Sequence, residues 1–210
     1  MKIVSILIFV LFMSKLNAEE KMKMLFNNEE ITKVIEVYSK ISGQKFIVDP
    51  TVRGRISIFI QKPVSIQEAF NQLSSALAIN GYAISKQGDT MVVKTARNIQ
   101  RDFIEVSNEI PLLKPERMYT WIYTPKNLSA ESISRELRIL PSKDGEFSVF
   151  SGTNKIIFTD WVSNIHRIAS ILKDLDIKLD QATVEMLETS KRNQEKQKKI
   201  FTEKKENENE

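Results

Sequence analysis

The chain has 210 residues, 41% of them hydrophobic and 28% charged, with no cysteine and one histidine. That is material for one medium domain or two small ones, and it excludes a disulfide scaffold and any cysteine–histidine metal site. The formal charge of +4 drops to +2 once residues 1–18 are set aside, since they hold Lys2 and Lys15 and no acid; so small a charge, spread over mixed signs, excludes a phosphate-binding footprint, and no nucleic-acid partner is expected.

In chain order, "MKIVSILIFVLFMSKLNAEE" reads as an export signal, residues 1–18. Lys2 supplies the charge, Ile3 to Met13 the apolar run, and Ala18 a small residue for cleavage. The run is short of the ~20 residues that span a bilayer. The periplasm is the expected compartment, with a membrane reached only through partners or an uncleaved leader.

Residues 19–95 read as a first α/β module. Lys21–Asn28 opens it with an alternating strand, and Asn27-x-x-Glu30 matches a helix capping box. Ile31, Val34, Ile35, Tyr38 and Ile41 follow at helical spacing, and Gly43 terminates the helix. Lys45–Asp49 is a short strand, and Ile56, Ile58 and Ile60 line one face of the next. Ile66, Phe70, Leu73 and Leu77 make a second amphipathic helix, and Tyr82–Thr95 a hairpin turning at Gly88-Asp89.

Residues 96–116 are mostly polar and read as a linker, with Asp102–Val106 as a lone strand. Residues 117–176 then repeat the theme. Met118–Thr124 is an aromatic-rich strand; Ser129 caps a helix carrying Ile133, Leu137 and Leu140, which Pro141 blocks. Glu146–Asp160 is a strand, a Gly-Thr-Asn turn and a strand. Asp160 caps a last helix whose apolar face is Val162, Ile165, Ile168, Ala169, Leu172 and Leu175. The expected fold class is α+β, two small tandem modules with a β-α-β-β-α core order. In residues 177–210, Asp180–Leu187 reads as a frayed helix and the remainder as a largely disordered charged tail, because it lacks apolar surface to offset ordering entropy.

No constellation for chemistry emerges. His166 lies mid-helix at the rim of the buried face and reads as structural. No carboxylates have calcium-loop spacing, and the six glycines form no phosphate-cradling loop. Neither an enzyme nor a cofactor is expected. Met22, Met24, Phe26, Tyr119 and Trp121 stand at strand spacing and read as core, whereas Trp161, at the start of the last helix, reads as a partly exposed contact residue.

The turn Asp49-Pro50-Thr51-Val52-Arg53-Gly54 resembles the Asp-Pro-x-Val-x-Gly signature in the first periplasmic domain of bacterial secretins, the outer-membrane channels of type II secretion, type III secretion and type IV pilus systems. That domain is also the secretin and TonB short N-terminal domain. Residues 117–176 are similar to the second, KH-like secretin N-domain, with Asn154, Ile156-Ile157, Thr159-Asp160 and Leu175-Asp176 at that domain's turn, strand, corner and helix end. RNA binding does not carry over with the KH-like fold, since no Gly-x-x-Gly is present. The resemblance makes Asp49, Pro50, Val52, Gly54, Asn154 and Asp160 structural and implies docking to secretion-machine partners: an inner-membrane platform component, a separate pore subunit, or further copies in a ring. Lys23 and Leu25 on the first strand, the Arg53/Arg55 edge and Trp161 are the expected contact residues. Alternatives are a signalling module of the TonB-transducer type and the N-terminal half of a split secretin. The pore-forming domain of secretins has no counterpart here, so pore formation is not expected of these residues.

Overall fold

The computed structural model describes residues 21–102 and 104–207, with side chains described as far as residue 197. The expected export signal lies outside the described residues. The chain divides into two compact units: residues up to Ile104 with Leu112–Met118, and Glu105–Pro111 with Tyr119 onward.

The first unit runs β1 (Lys21–Glu30), α1 (Ile31–Ser42), β2 (Lys45–Val48), β3 (Arg55–Ser65), α2 (Ile66–Ile79), β4 (Tyr82–Gln87), β5 (Thr90–Thr95) and the single turn α3 (Ala96–Ile99). Two sheets share these strands. β1 and β3 form an antiparallel ribbon, and β2, β5 and β4 form a second sheet in that order. Alternation along β1 and β3 turns Met22, Met24, Ile56 and Ile58 inward against Ile31, Val34, Ile35 and Tyr38 of α1 and Ala69, Leu73 and Leu77 of α2. Each fully buried aliphatic of this kind contributes about 1.5–3 kcal/mol.

Ser65 caps α2 by accepting from the amide of Glu68, and Gly43 ends α1 in the left-handed region at φ 68°. The capping box expected at Asn27 and Glu30 does not form. β1 continues to Glu30, opposite Arg55, and Asn28 takes a positive φ of 53° where the register shifts. The first free amide of α1, on Ile31, is satisfied by the Gly54 carbonyl at 3.1 Å.

The second unit runs β6 (Glu105–Ser107), β7 (Met118–Tyr123), α4 (Ala130–Glu136), β8 (Glu146–Phe150), a 3-10 turn at Ser151–Thr153, β9 (Lys155–Trp161), α5 (Val162–Leu175) and α6 (Gln181–Asn207). Its sheet has the order β6-β7-β9-β8. β6, expected as a lone strand, pairs parallel to β7. The Trp121 indole donates to the Asn108 carbonyl at 3.2 Å, and the ring nitrogen Nε2 of His166 lies 2.7 Å from the Pro111 carbonyl, so the segment after β6 is tied to its unit. Tyr119, Trp121, Ile156 and Phe158 of the sheet pack against Ile133 of α4 and Val162, Ile165, Ile168 and Leu172 of α5.

Two expectations are corrected here. α4 stops at Glu136, short of Leu140: the Leu140 amide turns back to the Leu137 carbonyl at 3.0 Å, and the Leu140 carbonyl accepts Asn164 Nδ2 at 3.0 Å and Arg167 Nη2 at 2.5 Å from α5. The charged tail continues as α6 instead of lacking structure. Asp180 starts that helix by accepting the Thr183 amide at 2.8 Å, and its Glu, Lys and Gln side chains form helix without a core.

Candidate interaction surfaces

The Asp49–Gly54 loop is built to hold backbone. Asp49 Oδ1 accepts the Thr51 amide at 2.8 Å and the Thr51 hydroxyl at 2.6 Å, which holds its carboxyl below the usual range: the hydroxyl bond is the larger cause and the amide bond the second. The Asp49 carbonyl accepts the Val52 amide at 2.9 Å, so Pro50 stands at the corner of a β-turn where its fixed φ suits the chain. Val52 is buried, and Gly54 sits at φ 117°, a conformation side chains disfavour. Tyr82, which spacing along the chain does not single out, pins the loop from β4. Its hydroxyl accepts the Arg53 amide at 3.0 Å and donates to the Arg53 carbonyl at 2.9 Å.

Arg53 and Arg55 both lie exposed, lining an open cleft of about 290 Å³ with Glu30, Thr32 and Gly54. Arg55 Nε donates to the Asn28 carbonyl at 2.6 Å, so it also steadies the β1 bulge. Along the solvent face of the ribbon, Lys23 and Leu25 are exposed, and Leu25 stands opposite Phe59 in the register. These two apolar side chains are 65% and 64% exposed, an apolar cross-strand pair on the outside of the unit. Phe59 is the ribbon residue the sequence reading missed; its place on the outer face follows from the Ile56, Ile58, Ile60 alternation.

Trp161 departs from expectation. It closes β9, is buried, and donates its indole N–H to Asp144 Oδ2 at 3.2 Å, so it presents no contact face.

In the second unit Asn154, Asp160 and Asp176 act as staples. Asn154, at φ 49°, accepts the Ala130 amide at 2.8 Å and donates to the Leu128 carbonyl at 3.3 Å, joining the β8–β9 turn to the start of α4. Asp160, expected to cap α5, is buried one residue earlier. It accepts the Ser142 amide at 2.7 Å, the Ser142 hydroxyl at 2.5 Å, the Trp161 amide at 2.7 Å and Asn164 Nδ2 at 2.6 Å. Asp176 accepts the Tyr123 hydroxyl at 2.6 Å and the amides of Lys126, Asn127 and Leu128 at 2.7, 2.7 and 3.1 Å. Burial alone would raise the pKa of Asp176, but these four donors together outweigh it and the carboxyl is held low. The Tyr123 hydroxyl is correspondingly pushed up, first by burial and then by its carboxylate partner. Among the described residues no group of acids and histidine is arranged to hold a metal, and no helix is long and apolar enough to cross a membrane.

A family model described as the GspD-like N0 domain matches residues 24–93. The chain is 25% identical over 149 residues to secretin XcpQ of Pseudomonas aeruginosa, covering 71% of this chain and 22% of XcpQ. With secretin PulD of Klebsiella pneumoniae it shares 22% identity over 183 residues, 86% of this chain and 28% of PulD. The chain thus spans about a quarter of the length of the curated relatives it matches. The outer membrane complex of the Klebsiella pneumoniae type II secretion system, solved with PulD, PulS and the PulC HR domain, shares the fold. Its TM-score is 0.64 at 21% identity, over 73% of this chain and 26% of that one. Such domains are structural and transport components, not a known enzyme class. Residues 24–93 therefore match the GspD-like N0 domain model, within a chain similar to secretins of type II secretion systems.

Proposed function

We propose that the chain is a periplasmic docking module of a secretin-dependent envelope machine of the type II secretion class. The β1–β3 ribbon captures the partner, and the second unit contributes to side-by-side assembly. The observation that carries the reading is the Leu25–Phe59 pair, two large apolar side chains paired in register on a solvent face. Isolated exposed apolar residues are ordinary, but a paired patch beside Lys23 and the Arg53/Arg55 edge has the anchor-and-charged-rim composition of a contact surface. The ribbon also leaves strand edges on which a partner strand can add main-chain hydrogen bonds. In the Klebsiella complex PulD stands with PulS and the PulC HR domain, so the partner sought is a platform or pore component of that kind.

The test is crosslinked capture of the tagged, exported chain from its native envelope, with partners quantified by mass spectrometry. Leu25→Asp with Phe59→Asp is expected to lower partner recovery by about thirtyfold, the loss of ~2 kcal/mol typical of a contact hot spot. Arg53→Glu with Arg55→Glu is expected to lower it about tenfold and to make capture less salt-sensitive. Unchanged recovery with both pairs would remove the ribbon from the account.

A further inference from the structure

The second unit carries another surface, independent of the ribbon. β8 stands at one end of its sheet, paired to β9 on one side and to no strand on the other among the described residues. Exposed edges are normally blunted by bulges, proline, lysine or extreme shortness. β1 and β3 carry register shifts and β6 has three residues, but β8 is the regular five-residue strand EFSVF, paired without a shift and free of proline and lysine.

Beside that edge lies a groove of about 420 Å³ between β8 and α4. Its floor includes the half-buried Phe147 and Val149, and its wall carries Ser134, Arg135 and Arg138. Both arginines are exposed, and neither guanidinium makes a hydrogen bond or ion pair to any described residue. The acid lining the groove, Glu131, is engaged by the Ser151 hydroxyl at 2.7 Å. An open strand edge, an apolar floor and two uncommitted guanidiniums along one wall make a site for a strand with negative charge on one face.

We propose that the β8 edge and its groove take an extended acidic segment of a partner polypeptide as an added strand, its carboxylates meeting Arg135 and Arg138. Side chains of a strand alternate between faces, so acids at every second position would all turn toward the arginines while the backbone pairs with β8. Guanidinium pairs carboxylate through parallel N–H bonds, which fixes register as well as sign.

The probe is an acetylated and amidated octapeptide, Thr-Glu-Val-Glu-Val-Glu-Val-Thr, titrated at low salt into the full ¹⁵N-labelled chain. Saturable amide shifts concentrated at residues 134–138 and 146–151 are expected. Arg135→Glu with Arg138→Glu should weaken binding about tenfold or more, as should glutamine for every glutamate in the peptide. Because both arginines are exposed, the variant should keep the wild-type tryptophan melt, which separates lost binding from lost fold. The absence of saturable shifts overturns the proposal, as does equal affinity for the glutamine peptide. Sedimentation showing that the chain instead self-associates through β8 also overturns it, since the occupant is then a second copy. None of these outcomes depends on the ribbon, so this inference and the docking role fail separately.

Discussion

Both units contain a β-α-β-β-α run, β1 to α2 in one and β7 to α5 in the other, yet they tie down their loops by different means. In the first, the loop leans on backbone and one hydroxyl: the Gly54 carbonyl caps Ile31, the Tyr82 hydroxyl bonds both backbone polar groups of Arg53, and the Asp49 carboxylate reaches only the neighbouring Thr51. In the second, carboxylates gather donors: Asp160 and Asp176 each accept four hydrogen bonds, among them the amide of Ser142 and the amides of Lys126, Asn127 and Leu128, which lie far off in the chain. The same secondary-structure grammar therefore yields one unit that depends on a special backbone conformation and one that depends on charge. A glycine in each unit makes the contrast testable. Gly54 is required by its φ of 117°, with only Ile31 Cδ1 near a substituted Cβ at 3.6 Å. Gly145 is required by its neighbours, because a Cβ there would lie 2.2 Å from Asp160 Oδ2.

Gly145→Ala is expected to have the largest effect. The methyl and the carboxylate cannot both fit, and moving Asp160 leaves Ser142, Trp161 and Asn164 donors unpaired, a loss of about 3 kcal/mol or more. Both tryptophans, Trp121 and Trp161, belong to the second unit, so tryptophan emission reports that unit alone. Its thermal midpoint should fall sharply, while the part of the far-UV circular-dichroism melt that has no counterpart in tryptophan emission, that of the first unit, stays in place. An unshifted tryptophan transition would mean the Asp160 cluster does not hold the unit together. Gly54→Ala should do the reverse at smaller size. It has room, so the cost is backbone strain of about 1–3 kcal/mol, read as an earlier circular-dichroism transition with unchanged tryptophan emission.

The charge dependence of the second unit sharpens the comparison through pH. The folded-state pKa of Asp176 is lowered, so its contribution is fully present above the unfolded carboxylate value near 3.9 and is lost as pH falls through the folded value. Asp176→Asn should therefore lower the tryptophan midpoint at pH 7, by about 1–2 kcal/mol, and the gap to wild type should close as pH drops below ~4. A gap that stays constant from pH 7 to pH 2 would show that the side chain acts by shape and not by charge.

What the sequence could and could not show follows from where each constraint comes from. α1, α2 and α5 were legible because a 3.6-residue period is local, and the Gly43 cap because a helix end needs φ above zero. The signature residues Asp49, Gly54, Asn154 and Asp160 stood out in the sequence, but the partners each one meets did not. Tyr82 reaches Arg53 across 29 positions, and Asp176 reaches Lys126 across 50. The capping box failed for the same reason: pairing with Arg55 drew the Asn27–Glu30 segment into a strand, and tertiary pairing outranks a local motif. Trp161 looked exposed because helix starts usually are, yet a bond to Asp144 and the end of β9 bury it. On the ribbon, Leu25 was visible from alternation in β1, whereas Phe59 acquires meaning only when the register sets it opposite Leu25.

The smallest expected effect concerns α6. No side chain described on that helix is buried, so it adds helical backbone without joining either core. Asp180→Ala removes the carboxylate that accepts the Thr183 amide and hydroxyl, a cap worth about 1 kcal/mol to the helix itself. Because nothing in the core leans on α6, that cost should fray its first turn and lower the helical signal at 222 nm while the tryptophan midpoint stays within about 0.5 kcal/mol of wild type. A fall of the tryptophan midpoint by a full ~1 kcal/mol would mean that α6 packs against the second unit in solution, and the helix would then join the carboxylate staples as a third support of that unit.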